Sequence, residues 1–437
     1  MVSSVAFVCH PYHRGGVTRW MADAAMAFAA KGVKVYFVTV TPSSPFVSAG
    51  GREPMVHLLA GNKSVQLITT PAGFTFEFGS EEYRTSVYAR QIQTLVPQGT
   101  PIIVSDDMAV WAAAASIADR YPMIGVLHGD QDYYYDRARR FHAQLSVCVC
   151  VSGRVLRRVQ EKCPVLSAAK IALIPCGIEL PLVTPARPAD GVLQLAFIGR
   201  LTDYEKRAED LVKIAALLQQ KGVNFHLHIA GNTEASAIDF QAQFAENGAG
   251  DRVTFHGWQA KQWLQALLDR TDIVLLTSNS EGMPLVMMEA LASGCGFVGT
   301  RVSGIEDYGH DVRAVNCVAV YPVGNIEDAV AAISRVAQVP EVDRRNAARL
   351  LAATEFSMDV CLARYTAAIQ AASLGRATPF SFPATKRIVS DLRAVARYMK
   401  VKMRHKKDLC RSKGLFGRLL KQKFRFSSRL HCRHSCC

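Results

Sequence analysis

Short apolar runs alternate with longer stretches of helical period along most of the chain. In the first half, the runs that read as strands are residues 3–9, 33–40, 65–69, 101–104, 122–127, 146–151 and 171–174. The alternation resumes with strands expected near 193–198, 224–230, 252–256, 272–276 and 296–299, and helices at 327–338, 342–353 and 358–373 close it. Strands separated throughout by helices predict an α/β architecture with largely parallel sheets. Between the halves, residues 181–192 carry Pro181, Pro185 and Pro188 and read as a linker. Two halves of like design, facing each other, place ligand loops at the carboxyl ends of strands, in the crevice between them.

Length supports the same division, because 437 residues exceed one ordinary core. No uninterrupted apolar run reaches the roughly 18 residues of a spanning helix. Residues 1–9 lack the basic start of a secretory signal and read as a first strand. Twelve cysteines show no framework spacing, and Cys9, Cys148 and Cys150 sit inside strand-like runs. Reduced, buried thiols in a cytoplasmic protein are the expectation.

Charge changes the picture at one end only. Of the net +14, residues 376–437 hold 18 Lys/Arg against Asp391 and Asp408, and the rest of the chain holds 33 basic against 35 acidic residues. The body is near neutral and the basic character belongs to the tail.

Several loops at strand ends carry candidate chemistry. Ile273–Leu276 is followed by Ser280-Glu-Gly-Met-Pro-Leu-Val-Met-Met-Glu-Ala290, in which Glu281 and Glu289 stand eight residues apart. Pro284 suits a first helical turn, and Met283 ahead of it offers no capping side chain. The first N–H groups of that helix are then open to an anion, with one carboxylate before them and one inside the helix. A lone Glu289 also reads as an ordinary early-helix glutamate favoured by the dipole. The first strand ends in a loop with Gly15-Gly16, which allows close backbone approach to a ligand and equally serves a tight β–α turn. It is not a Gly-x-Gly-x-x-Gly fingerprint. His128 follows the fifth strand, where open sheets build sites; a solvated loop histidine is the alternative. Asp130-Gln-Asp132 has metal-binding residue types but occurs commonly by chance. The second half opens with Phe197-Ile-Gly-Arg-Leu-Thr-Asp-Tyr-Glu-Lys206, aiming Arg200 and Lys206 at one spot as a diphosphate requires. Arg200 alone also reads as a capping or salt-bridge residue.

Taken in order, these segments resemble the retaining glycosyltransferases of the two-Rossmann-domain (GT-B) kind, family 4 (glycosyl transferases group 1), over roughly residues 3–373. The strongest segment, Glu281-Gly-Met-Pro-x4-Glu289-Ala-Leu-Ala-Ser-Gly294, is similar to the family's Glu-x7-Glu signature. Arg200 with Lys206, the Gly15-Gly16 loop and Ile174-Pro-Cys-Gly-Ile-Glu179 fall in the expected order. The resemblance implies an acceptor domain over 1–180, the linker 181–192, a donor domain over 193–357, a closing helix 358–375 and a separate tail 376–437. It implies that Arg200 and Lys206 bind the diphosphate of a UDP- or GDP-linked sugar. Glu281 contacts the transferred sugar, with Gly282, Met283 and Leu285 lining the donor, and Glu289 holds the ribose. His128 lines the reaction centre, Gly15 and Gly16 approach the phosphates from the other domain, and no metal or other cofactor is needed. Arg207 stands where the family usually has Gly, Gly296 where Pro is frequent, and Ser303-Gly304 where a Gly pair is expected.

In the tail, Ile388, Leu392, Val395, Met399 and Met403 share one helical face, with Arg393, Arg397, Lys400 and Arg404 opposite. Residues 415–426 mix aromatics with cations. Basic amphipathic helices read as segments that lie on an anionic membrane surface. A solvated tail, or a helix folded onto the body, is the alternative, and the near-neutral body disfavours nucleic acid. His431–Cys437 lacks zinc-site spacing. The expectation is a cytoplasmic enzyme, peripheral to the inner face of the membrane, that extends a lipopolysaccharide or other cell-surface glycan. A sugar-nucleotide epimerase on this scaffold, or a scaffold protein that binds anionic polymer, is the rival reading.

Overall fold

The computed structural model describes residues 2–10, 16–42, 59, 62–72, 76, 79–181, 191–201, 203–231, 236–372 and 377–382. Gly15, most of the expected linker and both amphipathic stretches of the tail lie outside the described residues.

Seven strands form the first sheet: β1 (Ser4–Val8), β2 (Lys34–Pro42), β3 (Val65–Ala72), β4 (Ile102–Val104), β5 (Met123–Leu127), β6 (Leu145–Cys150) and β7 (Ile171–Leu173). Six form the second: β8 (Leu193–Ile198), β9 (Phe225–Ala230), β10 (Val253–Gly257), β11 (Ile273–Leu276), β12 (Gly296–Thr300) and β13 (Val318–Tyr321). The orders are β3-β2-β1-β4-β5-β6-β7 and β10-β9-β8-β11-β12-β13, and every pairing is parallel. Both orders reverse at their first strand, so the switch points lie beside β1 and β8, where open sheets build their binding crevices.

Helices α1 (Gly16–Ala30), α2 (Glu81–Leu95), α3 (Met108–Ser116), α4 (Asp132–Arg140) and α5 (Gly153–Lys162) belong to the first half. Those of the second are α6 (Asp203–Lys206), α7 (Ala208–Gln220), α8 (Ser236–Glu246), α9 (Lys261–Asp269), α10 (Leu285–Ala292), α11 (Ile326–Gln338), α12 (Glu341–Leu351) and α13 (Met358–Ala371). Starts follow local chemistry. Ser80, Asp107, Ser152, Asn325 and Ser357 each accept a hydrogen bond from an N–H in the first turn of the helix that follows. Strands β1, β5 and β11 are buried along almost their whole length, as parallel strands covered on both faces must be. Gly125 in β5 leaves room for the Trp111 ring of α3, which a β-carbon would meet at 2.2 Å.

The chain crosses between the sheets twice, side by side. Ile178 N–H donates to the Phe356 carbonyl and Met358 N–H to the Ile178 carbonyl, both at 2.8 Å. From there α13 returns to the first domain, where Tyr365 packs 5.7 Å from Trp20 of α1 and Asp359 pairs with Lys31. Residues 377–382 run back over α3 and α4: Phe380 N–H bonds the Ala115 carbonyl at 3.0 Å, and the Arg140 guanidinium lies over the rings of Phe141, Phe380 and Phe382. The eight cysteines among the described residues are all buried and unpaired. No helix among the described residues is long and apolar enough to cross a membrane.

Candidate functional site

The loop that leaves β5 meets the loop that leaves β11 across the cleft, where Gln131 Nε2 donates to Ser280 Oγ at 3.2 Å. On the second-domain side, the apolar strand β11 buries itself and releases a polar turn at its carboxyl end. There the Lys206 ammonium at the end of α6 lies 2.5 Å from a Glu281 oxygen, and both side chains are largely buried. Ser278 Oγ donates to the same oxygen at 2.6 Å. Thr277 Oγ donates to the Lys206 carbonyl at 2.5 Å, and Asn279 N–H to the Glu205 carbonyl at 2.9 Å, so the two loops form one platform. Arg200 is exposed and pairs with Glu205 instead of reaching the Lys206–Glu281 contact.

Helix α10 starts at Leu285, with Pro284 at its cap position and no side-chain cap. Pro284 thus stands one place earlier than the first-turn position read from the sequence. The uncapped start leaves the helix's orphan N–H groups and positive dipole end facing the cleft. Opposite lies the start of α1, where a β-carbon on Gly16 would touch Leu285 Cδ1 at 3.3 Å. Glu289 projects from α10 toward α1 and α9. Burial raises its carboxyl above the ordinary value, while Arg19 and Lys261 pull it down and Asp23 pushes it up.

His128 comes from the first domain and is buried. Its Nδ1 lies 2.8 Å from Ser105 Oγ, its ring packs 5.0 Å from Trp20, and its Nε2 is buried without a hydrogen-bond partner. Burial lowers its pKa to about 4, against an opposing pull from Asp106, so the imidazole is neutral near neutral pH. The loops touch here: a β-carbon on Gly282 would fall 1.7 Å from the His128 carbonyl oxygen. Gly282 and Met283 are buried in this contact.

Sequence reading passed over Ser105-Asp106-Asp107 at the end of β4. Asp106 has φ +50°, an uncommon backbone state for a residue with a side chain, tolerated best by Asn and Asp. Its carboxylate accepts from Tyr134 Oη and, at 3.4 Å, from Ser105 Oγ. A polar triplet directly after an apolar strand at a switch point was the available signal. Asp130-Gln-Asp132 is otherwise engaged: Asp130 accepts from Tyr135 and pairs with Arg158 at 2.9 Å, and Asp132 pairs with Lys162.

The departures from the family pattern have local explanations. Arg207 adopts φ +46°, a left-handed conformation that a glycine takes without cost. Its guanidinium grips buried Asp210 at 2.6 and 3.0 Å, away from Lys206. Ser303 bonds Ser152 of the first domain at 2.8 Å. Beside it Asp307 accepts from Gly153 N–H at 2.7 Å, and Glu306 pairs with Arg154 and Arg157. A cavity of about 810 Å³ opens next to this cross-domain contact, lined among others by Arg157, Arg301, Tyr308 and Arg335. It adjoins the Glu281 loop only through Met283.

Two family models match the chain. Residues 14–181 match Glycosyltransferase Family 4, and residues 193–338 match Glycosyl transferases group 1; together they span more than two thirds of the sequence. The lipopolysaccharide 1,6-galactosyltransferase of Escherichia coli K12 is 34% identical over 118 residues, which are 26% of this chain and 31% of that relative. The glycogen synthase of Mycobacterium tuberculosis H37Rv is 25% identical over 322 residues, 67% of this chain and 75% of the relative. Among solved structures, Anabaena Alr3699/HepE in complex with UDP and glucose superimposes with a TM-score of 0.63 at 16% identity, covering 84% of this chain and 99% of that one. Two parallel sheets facing across a cleft, with both family models matched in order, place this chain in glycosyltransferase family 4 (glycosyl transferases group 1), on the GT-B fold.

Proposed function

We propose that this protein moves a sugar from a UDP- or GDP-linked donor to a glycan or lipid-linked glycan acceptor, with retention of anomeric configuration. The setting is assembly of lipopolysaccharide or another cell-surface polysaccharide. The observation that carries the reading is the meeting of Lys206 and Glu281 beside the uncapped start of α10, opposite Gly16 and His128. The name of the E. coli relative supports the glycan class, and the UDP and glucose held by the Anabaena neighbour support the donor class.

In this reading the diphosphate lies against the N–H groups of α10, with Lys206 and Arg200 as its cations and Gly15 and Gly16 closing from the other side. Arg200 exchanges Glu205 for phosphate. Glu281 exchanges Lys206 for sugar hydroxyls, and Glu289 takes the ribose. The bond between the anomeric carbon and the phosphate oxygen breaks as the acceptor hydroxyl attacks from the same face. The departing phosphate oxygen takes the acceptor's proton, and Lys206, Arg200 and the helix end stabilise the growing negative charge. No carboxylate serves as nucleophile, and the two side-chain cations take the role of neutralising the leaving group. Of the tail, residues 376–437, the part beyond Phe382 holds the enzyme against the anionic inner face of the membrane, while Phe380 and Phe382 pack on the body.

A thermal-shift panel of UDP-glucose, UDP-galactose and GDP-mannose should single out the donor, since a ligand of the native state raises its stability. Release of free nucleoside diphosphate must then depend on acceptor; release without acceptor, or interconversion of the sugar, points to the epimerase. Replacing Lys206 or Glu281 with Ala should lower kcat by about a hundredfold or more. Glu289→Ala should chiefly weaken donor binding, and unchanged affinity in that variant removes the ribose assignment.

A further inference from the structure

We infer that Ser105 is a positioning residue that locks His128 in its Nδ1–H tautomer, making the buried Nε2 a hydrogen-bond acceptor for a substrate hydroxyl. The inference deepens the proposed glycosyl transfer, and rests on that reading for the identity of the ligand.

Hydrogen counting drives it. Ser105 Oγ has one proton and three polar neighbours: the Val126 carbonyl at 3.1 Å, Asp106 Oδ1 at 3.4 Å, and His128 Nδ1 at 2.8 Å. A carbonyl and an ionised carboxylate can only accept. The hydroxyl proton is therefore drawn to that side, and the shortest of the three contacts is satisfied when Nδ1–H donates to Oγ. A neutral imidazole carries one ring proton, so Nε2 is left with a lone pair.

That lone pair is in a costly place. His128 is 8% exposed, and Nε2 has no partner among the described groups. The neighbouring Trp20 ring carries a donor, yet its Nε1 is likewise unpartnered, so the indole does not satisfy the imidazole. A buried polar atom left unpaired at a site calls for a ligand group or water that completes it. The group must donate, which a sugar hydroxyl does and a phosphate dianion or a uronate carboxylate does not. His128 therefore selects for a hydroxyl at the sugar position it faces and takes no part in holding the diphosphate. The left-handed backbone of Asp106 fits the same assignment, since it keeps that carboxylate beside Ser105.

The test is nitrogen NMR on the full chain labelled with ¹⁵N at histidine, with His128→Asn to identify the resonances. The wild type should show His128 Nδ1 protonated and Nε2 unprotonated. Ser105→Ala should give a mixture of tautomers, while Ser105→Thr, which keeps the hydroxyl, should retain the wild-type pattern. In the transfer assay Ser105→Ala should lose about tenfold in kcat/KM, the scale of one buried hydrogen bond, and Ser105→Thr should recover it. A protonated Nε2 in the wild type, or an unchanged tautomer in Ser105→Ala, overturns the inference. A protein that shows the expected tautomer but turns over no nucleotide sugar refutes the proposed reaction and leaves the role of Ser105 standing.

Discussion

Replacing Gly282 with alanine should separate catalysis from folding. The new β-carbon would fall 1.7 Å from the His128 carbonyl oxygen, 2.5 Å from its carbon and 2.9 Å from Gly129 Cα, where ordinary contacts lie at 3.4–4 Å. All three obstacles are backbone, so no rotamer change relieves them. The gap between the loops must widen by well over ~1 Å, and the two loops belong to different domains. Gly282 has no positive φ, so alanine is not strained in its own backbone. Each domain keeps its core, and only their closest approach is lost. Misplacement of reacting groups by about 1 Å can cost a hundredfold in rate. We expect kcat for sugar transfer to fall by about that factor, with the thermal unfolding midpoint nearly unchanged. Wild-type kcat in Gly282→Ala would show that the loop contact is not part of the reactive state.

Asp272 is buried and accepts from Arg344 Nη2 at 2.9 Å and Gln194 N–H at 2.8 Å; Asp272→Ala leaves a guanidinium unpaired inside the second domain and should cost about 3–5 kcal/mol in urea unfolding. Burial, followed by the charges of His226, His256 and Arg270, lowers the His228 pKa to about 4, and His128 is lowered alike. The unfolded chain then binds more protons as pH falls, so stability should be full above about pH 6.5 and decline toward pH 4; His228→Gln should flatten the melting temperature over that window. Removing residues 383–437 keeps the Phe380 and Phe382 contacts and should abolish sedimentation with anionic vesicles while leaving turnover of a soluble donor intact. Loss of that turnover would mean that the tail forms part of the site.

The strands were legible because parallel sheets bury both faces, and runs such as Val5–Val8 and Ile273–Leu276 are apolar without a break. Strand β13, Val318–Tyr321, was not read from the sequence. Of the site, the loop holding Glu281 could be read from one continuous segment, and its contact with Lys206 is now seen at 2.5 Å. The Ser105–His128 pair could not, since its partners lie 23 residues apart on neighbouring strands and only the β4–β5 register brings them together. Arg207 shows a different limit. Its left-handed backbone and its grip on Asp210 depend on how α6 turns into α7, which composition does not encode.

Closure in this chain is also held from the side. Ser152–Ser303, Gly153–Asp307 and the pairing of Arg154 and Arg157 with Glu306 bridge the domains on the far flank of the cleft from Glu289. Asp307 completes the N-terminus of α5, whose own Ser152 cap serves only Val155. Its carboxyl is raised chiefly by burial and is pulled back down by the Gly153 N–H bond and the two arginines. A hydrogen bond to a charged group is worth about 1.5–3 kcal/mol, so losing this one alone should shift an opening equilibrium by roughly tenfold or more. Asp307→Ala removes the acceptor and leaves the Gly153 N–H without it. It should weaken closure without touching Lys206, Glu281 or His128, and appear as a higher KM for donor with little change in kcat at saturation. A fall in kcat with unchanged KM would instead mean that this flank shapes the reacting geometry itself.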